Sequence, residues 1–262
     1  MSTNDRATAS SEASCAPYEA LITIVRRLRS ECPWDREQTH ASARHLLVEE
    51  AYEAVDAIEQ EDYDELKKEL GDLALQVIFH AVMGEEAGHF TLSGVMEAVA
   101  EKLIRRHPHV YGDAKVAGVE DVLSNWEEIK RAERQDRSVL DGVPIHLPAL
   151  LCAHRMQEKA AGVGFDFETL EDTWGKVEEE LWEYRNAADG PGAEAELGDL
   201  LFALVNYTRR IGINAENALR GANRKFKRRF AFIEARLKGH NLRSVSLAEM
   251  DRHWDEAKRQ EV

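Results

Sequence analysis

Apolar residues along this chain recur three and four positions apart, the period of a helix. No stretch alternates with the period of two that a strand requires. From residue 18 to 29, Leu21, Ile22, Val25 and Leu28 share one face, which predicts an amphipathic helix. Cys32-Pro33-Trp34-Asp35 ends it, because proline cannot continue a helix. A second helix is expected over about 40–60, with Leu46, Leu47, Tyr52, Val55 and Ile58 available for its buried side. Asp62 and Asp64 are candidate caps for a third. Its Leu73, Leu75, Val77, Ile78 and Phe79 suit the centre of a bundle. A turn at Gly88 leads to a helix through Val95, Val99 and Leu103 that ends at Arg105-Arg106-His107-Pro108. A charged helix is expected over residues 119–134, and Gly142, Pro144 and Pro148 mark a boundary.

The order then repeats. Helices are expected over about 150–159, 170–187, 194–211 and 214–237, with a last one carrying Trp254. The loop Gly162-Val163-Gly164-Phe165-Asp166 and the turn Gly190-Pro191-Gly192 fall between them. Leu70-Gly71-Asp72-Leu73 matches Leu197-Gly198-Asp199-Leu200, and Trp34-Asp35 matches Phe165-Asp166. Lys102, Arg105 and Arg106 match Lys225, Arg228 and Arg229; Trp126-Glu127 matches Trp254-Asp255. Matches in one order over so long a period imply a duplicated helical unit rather than a solenoid. The expected fold is all-α, two related bundles. Residues 17–135 and 149–262 would form the domains, 136–148 a linker, and the Ser-, Ala- and Thr-rich residues 1–16 a disordered tail.

Within this frame one pattern carries chemistry. Glu179, Glu180 and Glu183 fall within an arc of roughly 100° on their helix, and Glu196 and Asp199 lie about 60° apart on the next. The first half holds the same set: Glu49, Glu50, Glu53, Glu69 and Asp72. A single E-E-x-x-E helix reads as a solvated face. Here the pattern recurs, and the helix of Glu196 is apolar enough for its acids to border a core. Converging carboxylates repel unless a cation neutralises them, and oxygen ligands at this density suit Mg²⁺ or Mn²⁺. A di-iron bundle would want E-x-x-H pairs, whereas this chain has E-x-x-D. Lys225, Arg228 and Arg229 span a similar arc, and such cations grip phosphate oxygens. A metal on one side and Lys/Arg on the other describe a polyphosphate site.

Composition narrows the partners. The chain has 262 residues, 44% hydrophobic, with a formal net charge of −15. That charge argues against a nucleic-acid or anionic-membrane surface, but not against a phosphate ligand beside a metal. Cys15, Cys32 and Cys152 form no C-x-x-C pair, so neither a disulfide framework nor a zinc site is expected, and a reducing cytoplasm fits. No signal peptide or membrane-spanning run is read in the sequence.

The chain resembles the MazG family of the all-α NTP pyrophosphatase superfamily over residues 18–261. The resemblance rests on Cys32-Pro33-Trp34-Asp35, both acidic sets, Arg105-Arg106-His107-Pro108-His109-Val110, Val163-Gly164-Phe165-Asp166 and Lys258-Arg259-Gln260-Glu261. It implies tandem MazG-type bundles, a homodimer, and Mg²⁺-dependent hydrolysis of nucleoside triphosphates to monophosphate and pyrophosphate with broad base tolerance. Carried over, Glu180, Glu183, Glu196 and Asp199 match the metal ligands, and Glu179 the motif acid that positions or activates water. Lys225 with Arg228 or Arg229 falls in the phosphate-binding helix, and Trp254 is grouped with them as a substrate contact. Phe167 stands where the family usually has Trp. A non-catalytic nucleotide sensor or helical adaptor is the rival, although an adaptor has no need for five clustered acids. The halves are expected to be unequal. Seven residues beyond Asp199 lies Asn206, which can hydrogen-bond a phosphate or sugar; seven beyond Asp72 lies Phe79, which cannot. Lys225, Arg228 and Arg229 sit inside a continuous helix, whereas Arg106 runs at once into His107-Pro108.

Overall fold

The computed structural model describes residues 3–119, 121–122, 125–126, 129, 133, 138–187 and 190–260. Among them all regular structure is helical, in agreement with the all-α expectation. None of these helices is long and apolar enough to cross a membrane. The chain divides into two compact units, Met1–Lys130 and Arg131–Val262.

The first unit contains α1 (Thr3–Glu31), α2 (Pro33–Glu37), α3 (His40–Glu59), α4 (Tyr63–Glu86), α5 (Leu92–Arg106) and α6 (Pro108–Tyr111). Helix α1 begins well before residue 18, with Pro17 inside it. Val25 on the expected apolar face is fully buried, but Leu28 is exposed and Arg29 takes the inward position. The Arg29 guanidinium donates to the carbonyls of Asp35 and Gln38 and to the Glu86 carboxylate, so it ties α2 to the end of α4. Pro33 opens α2, where the missing N–H would have had no helical partner.

Thr39 and Ser42 cap α3 reciprocally. Its buried residues are Ala43, Ala54 and Ala57, whereas Tyr52 and Ile58 are exposed, contrary to expectation. Small side chains fill the centre of the α3–α4 seam, Leu46 packs against the core beside them, and Tyr52 and Ile58 point outward. Asp62 caps α4 by accepting from the Glu65 N–H at 3.0 Å, while Asp64 lies within the first turn. The core of the unit gathers Val25 and Ala43 with Ile78, Phe79, Val82 and Met83 of α4, each large side chain contributing about 1.5–3 kcal/mol. Glu85 near the end of α4 accepts from the Leu92 N–H at 2.9 Å and from Arg26 at 3.0 Å, which fixes the start of α5. The charged helix expected over residues 119–134 falls largely outside the described residues.

The second unit contains α7 (Ala149–Ala161), α8 (Leu170–Asn186), α9 (Pro191–Arg210), α10 (Ala215–Arg236), a 3₁₀ turn (Leu242–Ser244) and α11 (Leu247–Gln260). Thr169 and Asp172 form a capping box on α8. Gly190 adopts φ +96°, open to glycine, and Pro191 begins α9 three residues before the expected start. The packing scheme of the first unit recurs. Helices α3 and α4, like α8 and α9, form the principal pair; α1 lies on α4 as α7 lies on α9, and α5 on α4 as α10 on α9. Residues 138–148, the described part of the stretch 136–148 expected to be a linker, fall within this unit. Val143 is buried, and Lys159 donates to the Asp141 carbonyl at 2.6 Å.

Candidate active site

Helix α8 supplies Glu179, Glu180 and Glu183, and α9 supplies Glu196 and Asp199. Their pairing brings one carboxylate oxygen each from Glu180, Glu183 and Glu196 within 4.8 Å of one another. In the first unit the equivalent pair gathers Glu50, Glu69 and Asp72 just as closely. Asp199 stands outside the trio of its unit and Glu53 outside the other. Asp199 instead shares a cavity wall with Glu180, while Glu53 still acts on Glu69 through its charge. Glu49 and Glu179 are exposed.

Repulsion registers in the protonation of these acids. Burial, then the charges of Glu180 and Glu196, hold the Glu183 carboxyl above the usual range. Burial followed by Asp72 and Glu53 does the same to Glu50, and burial followed by Glu53 and Glu65 to Glu69. Clustered, partly desolvated hard oxygens that hold protons too tightly fit a small divalent cation.

A residue passed over in the sequence sits among them. The Lys176 ammonium lies 2.7 Å from Glu180 and 3.0 Å from Glu179, and both carboxylates raise its pKa far above the ordinary lysine value. The Glu180 side chain is only 8% exposed. The signal was present, since Lys176 precedes Glu180 by four residues, one helical turn. In the first unit that place belongs to Leu46, and Glu50 receives instead a hydrogen bond from the Gln76 side chain.

A cavity of about 720 Å³ opens beside these acids. Lys176, Glu180, Asp199 and Asn206 contribute its polar wall, while Val139, Leu140, Met156 and Phe202 contribute to its apolar wall. The loop carrying Phe165 and Phe167 forms a further side. Asn206 is held in one orientation. Arg209 donates to its side-chain oxygen at 2.8 and 3.2 Å and, with the same guanidinium, to Asp166 at 2.6 Å. The Asn206 carbonyl is thereby committed, which leaves the Asn206 amide nitrogen as the group to offer a ligand. Gln157, buried on α7, donates to the Phe202 carbonyl at 2.8 Å. Neither Arg209 nor Gln157 was singled out from the sequence; their roles depend on which helix each one meets.

The first unit is filled at the matching positions. Aligning Asp35 with Asp166 and Asp72 with Asp199 sets Val25 against Met156, Arg29 against Ala160 and Phe79 against Asn206. Val25, Arg29 and Phe79 are all buried, and the Arg29 guanidinium lies 5.4 Å from the centre of the Phe79 ring.

The basic helix stands apart from the cavity wall. Lys225 and Arg228 are exposed on α10, and Arg229 lies 5.3 Å over the ring of Trp254 on α11, against which Phe226 also packs. Lys225, Arg228, Arg229 and Trp254 are not among the residues that line the cavity. The first unit repeats this contact, with Arg106 lying 6.0 Å over Trp126.

Known proteins resemble this chain along most of its length. The MazG nucleotide pyrophosphohydrolase domain matches residues 38–111. A nucleoside triphosphate pyrophosphohydrolase of Escherichia coli K12 is 44% identical over 257 residues, covering 93% of this chain and 98% of that one. The nucleoside triphosphate pyrophosphohydrolase/pyrophosphatase MazG of Thermotoga maritima is 42% identical, covering 92% and 95%. The uncharacterized protein YabN of Bacillus subtilis is 48% identical over 93% of this chain and 52% of its own length.

Proposed function

Because the chain belongs to the MazG nucleotide pyrophosphohydrolase family, we propose that it is a pyrophosphohydrolase that cleaves nucleoside triphosphates to monophosphate and pyrophosphate, chiefly in its second unit. The observation that carries this reading is the cavity beside Glu180 and Asp199, set against the filled positions of the first unit. Glu180, Glu183, Glu196 and Asp199 would hold Mg²⁺ or Mn²⁺. That cation, when bound, supplies positive charge against the triphosphate. Glu179, exposed at the edge of the cluster, suits a base that orients a water and takes its proton as the water attacks the α-phosphorus. The bond from the α-phosphorus to the bridging oxygen then breaks, and pyrophosphate leaves. Asn206, its carbonyl held by Arg209, donates from its amide nitrogen to an oxygen of the substrate. Lys225, Arg228 and Arg229 offer further charge to the phosphates, and Trp254 supports Arg229. The largely apolar remainder of the cavity suits a base recognised more by shape than by specific hydrogen bonds, hence broad base tolerance.

Paired variants test the assignment. Glu183→Ala with Asp199→Ala should lose nearly all Mg²⁺-dependent pyrophosphate release while helicity is kept. Glu53→Ala with Asp72→Ala should retain most of it. The reverse ranking would place the main site in the first unit.

A further inference from the structure

One buried polar atom of the second unit has no use within the fold. Gln157 projects from α7, is only 7% exposed, and donates from its side-chain nitrogen to the Phe202 carbonyl of α9 at 2.8 Å. A carbonyl can only accept, so this bond fixes which way the carboxamide is turned. The other end, the Gln157 Oε1 atom, is out of contact with solvent and has no hydrogen-bond partner among the described residues. A buried acceptor in that state is costly, and such groups are rare in folded proteins. Gln157 also lines the cavity, where Leu140, Met156 and Phe202 share the wall with it. Phe202 stands three residues beyond Asp199, so the carboxamide meets α9 about 4.5 Å further along the helix than that acid. The first unit has no such group. Arg26 takes the matching place, and its half-exposed side chain turns to Glu85.

We infer that Gln157 is a specificity-determining residue whose side-chain oxygen accepts a hydrogen bond from an N–H on the edge of the nucleobase. The inference rests on the proposed nucleoside triphosphate reading. With the phosphates at the acids, sugar and base extend into the rest of the cavity. An acceptor set among apolar side chains suits a flat ring with an N–H edge better than a sugar, whose hydroxyls need several polar partners. Asn206 has the opposite sense, since its uncommitted amide nitrogen donates and so suits an oxygen. The last torsion of a glutamine is soft, so a modest turn presents the oxygen to a ligand without moving α7. Adenine, guanine and cytosine carry exocyclic amino groups, and guanine and uracil carry a ring N–H. One acceptor can therefore serve every standard base while disfavouring a ring that offers no N–H.

Isothermal titration calorimetry in Mg²⁺ compares three probes that resist cleavage. They are α,β-methylene ATP, its purine riboside counterpart with hydrogen in place of the amino group, and α,β-methylene dATP. The wild-type protein should bind the adenine probe about tenfold more tightly than the purine one. Gln157→Met keeps the length of the side chain and removes the acceptor. In it the two probes should bind within about twofold of each other, because the adenine probe alone loses affinity. Absence of a gap in the wild type, or a gap that persists in Gln157→Met, would overturn the proposal. An equal loss for both probes would also overturn it, since packing alone would then explain the residue. The dATP probe should bind as the ATP probe does. A loss confined to dATP and abolished in Gln157→Met would assign the oxygen to a sugar hydroxyl and overturn the base contact. Gln157→Leu should read as Gln157→Met does should the latter fold poorly, and the wild-type comparison needs no substitution at all. Pyrophosphate release from ATP is followed separately. The expected gap without release would count against the proposed function and leave the base contact standing.

Discussion

At the scale of single residues, burial and then the charge of their neighbours disfavour ionisation of acids in both units, and that has a pH signature. Glu50, Glu69 and Glu183 hold their protons more tightly in the folded protein than the ordinary carboxylate value of 4.5 allows. Between 4.5 and the raised value the folded state therefore binds more protons than the unfolded one. The metal-free protein should lose stability as pH rises through that window. Mg²⁺ acts against the same repulsion, so the rise in Tm on adding it should be small near pH 4.5 and larger near about pH 7. Thermal melts in chelator and in Mg²⁺ check this, and a rise that shrinks toward neutral pH would contradict it. The identity of these acids was legible in the sequence because the motif recurs and its spacing fixes a helical face. Which three of four meet most closely was not, because that depends on the rotation of α8 against α9.

At the scale of elements, the Arg209 clamp joins the loop after α7 to the end of α9. Arg209→Met removes charge-assisted bonds to Asp166 and Asn206, which should cost about 1–3 kcal/mol in urea denaturation. With the Asn206 amide free to turn, KM should rise several-fold more than kcat falls. Arg209→Lys should recover part of the stability, since an ammonium can reach Asp166 but cannot span both partners. Helix ends were readable where local chemistry sets them. Asp62 caps α4, and the prolines at 33 and 108 mark where α1 and α5 end, although the short helices α2 and α6 that they open were not anticipated. The faces were less readable. The alanine seam of α3 and the inward turn of Arg29 reverse what apolarity alone suggests, because closeness between helices there depends on small side chains and a satisfied guanidinium. Residues 138–148 looked like a linker from their glycine and prolines, yet Val139 and Leu140 serve the cavity wall, a tertiary contact that local composition does not report.

At the scale of the whole molecule, apolar surface remains on the helices that carry the acids. Leu181 and Trp182 on α8 and Leu197 and Leu201 on α9 are 39–66% exposed. Such a surface suits a second copy of the chain, and light scattering at micromolar concentration should give the mass of a homodimer. A monomer would remove that expectation. The buried Val25, Arg29 and Phe79 of the first unit and the cavity at the matching place in the second have a further consequence. The two units pair their helices in a similar order, and buried side chains hold in the first the places that border a cavity in the second, so each serves as the other's internal control. Differential scanning calorimetry should resolve two heat-absorption peaks. The lower belongs to the second unit, which forgoes the contacts that Phe79 and Arg29 make in the first. α,β-Methylene ATP with Mg²⁺ should move that lower peak upward toward its neighbour and leave the upper one in place, so that ligand supplies to one duplicate what side chains supply to the other.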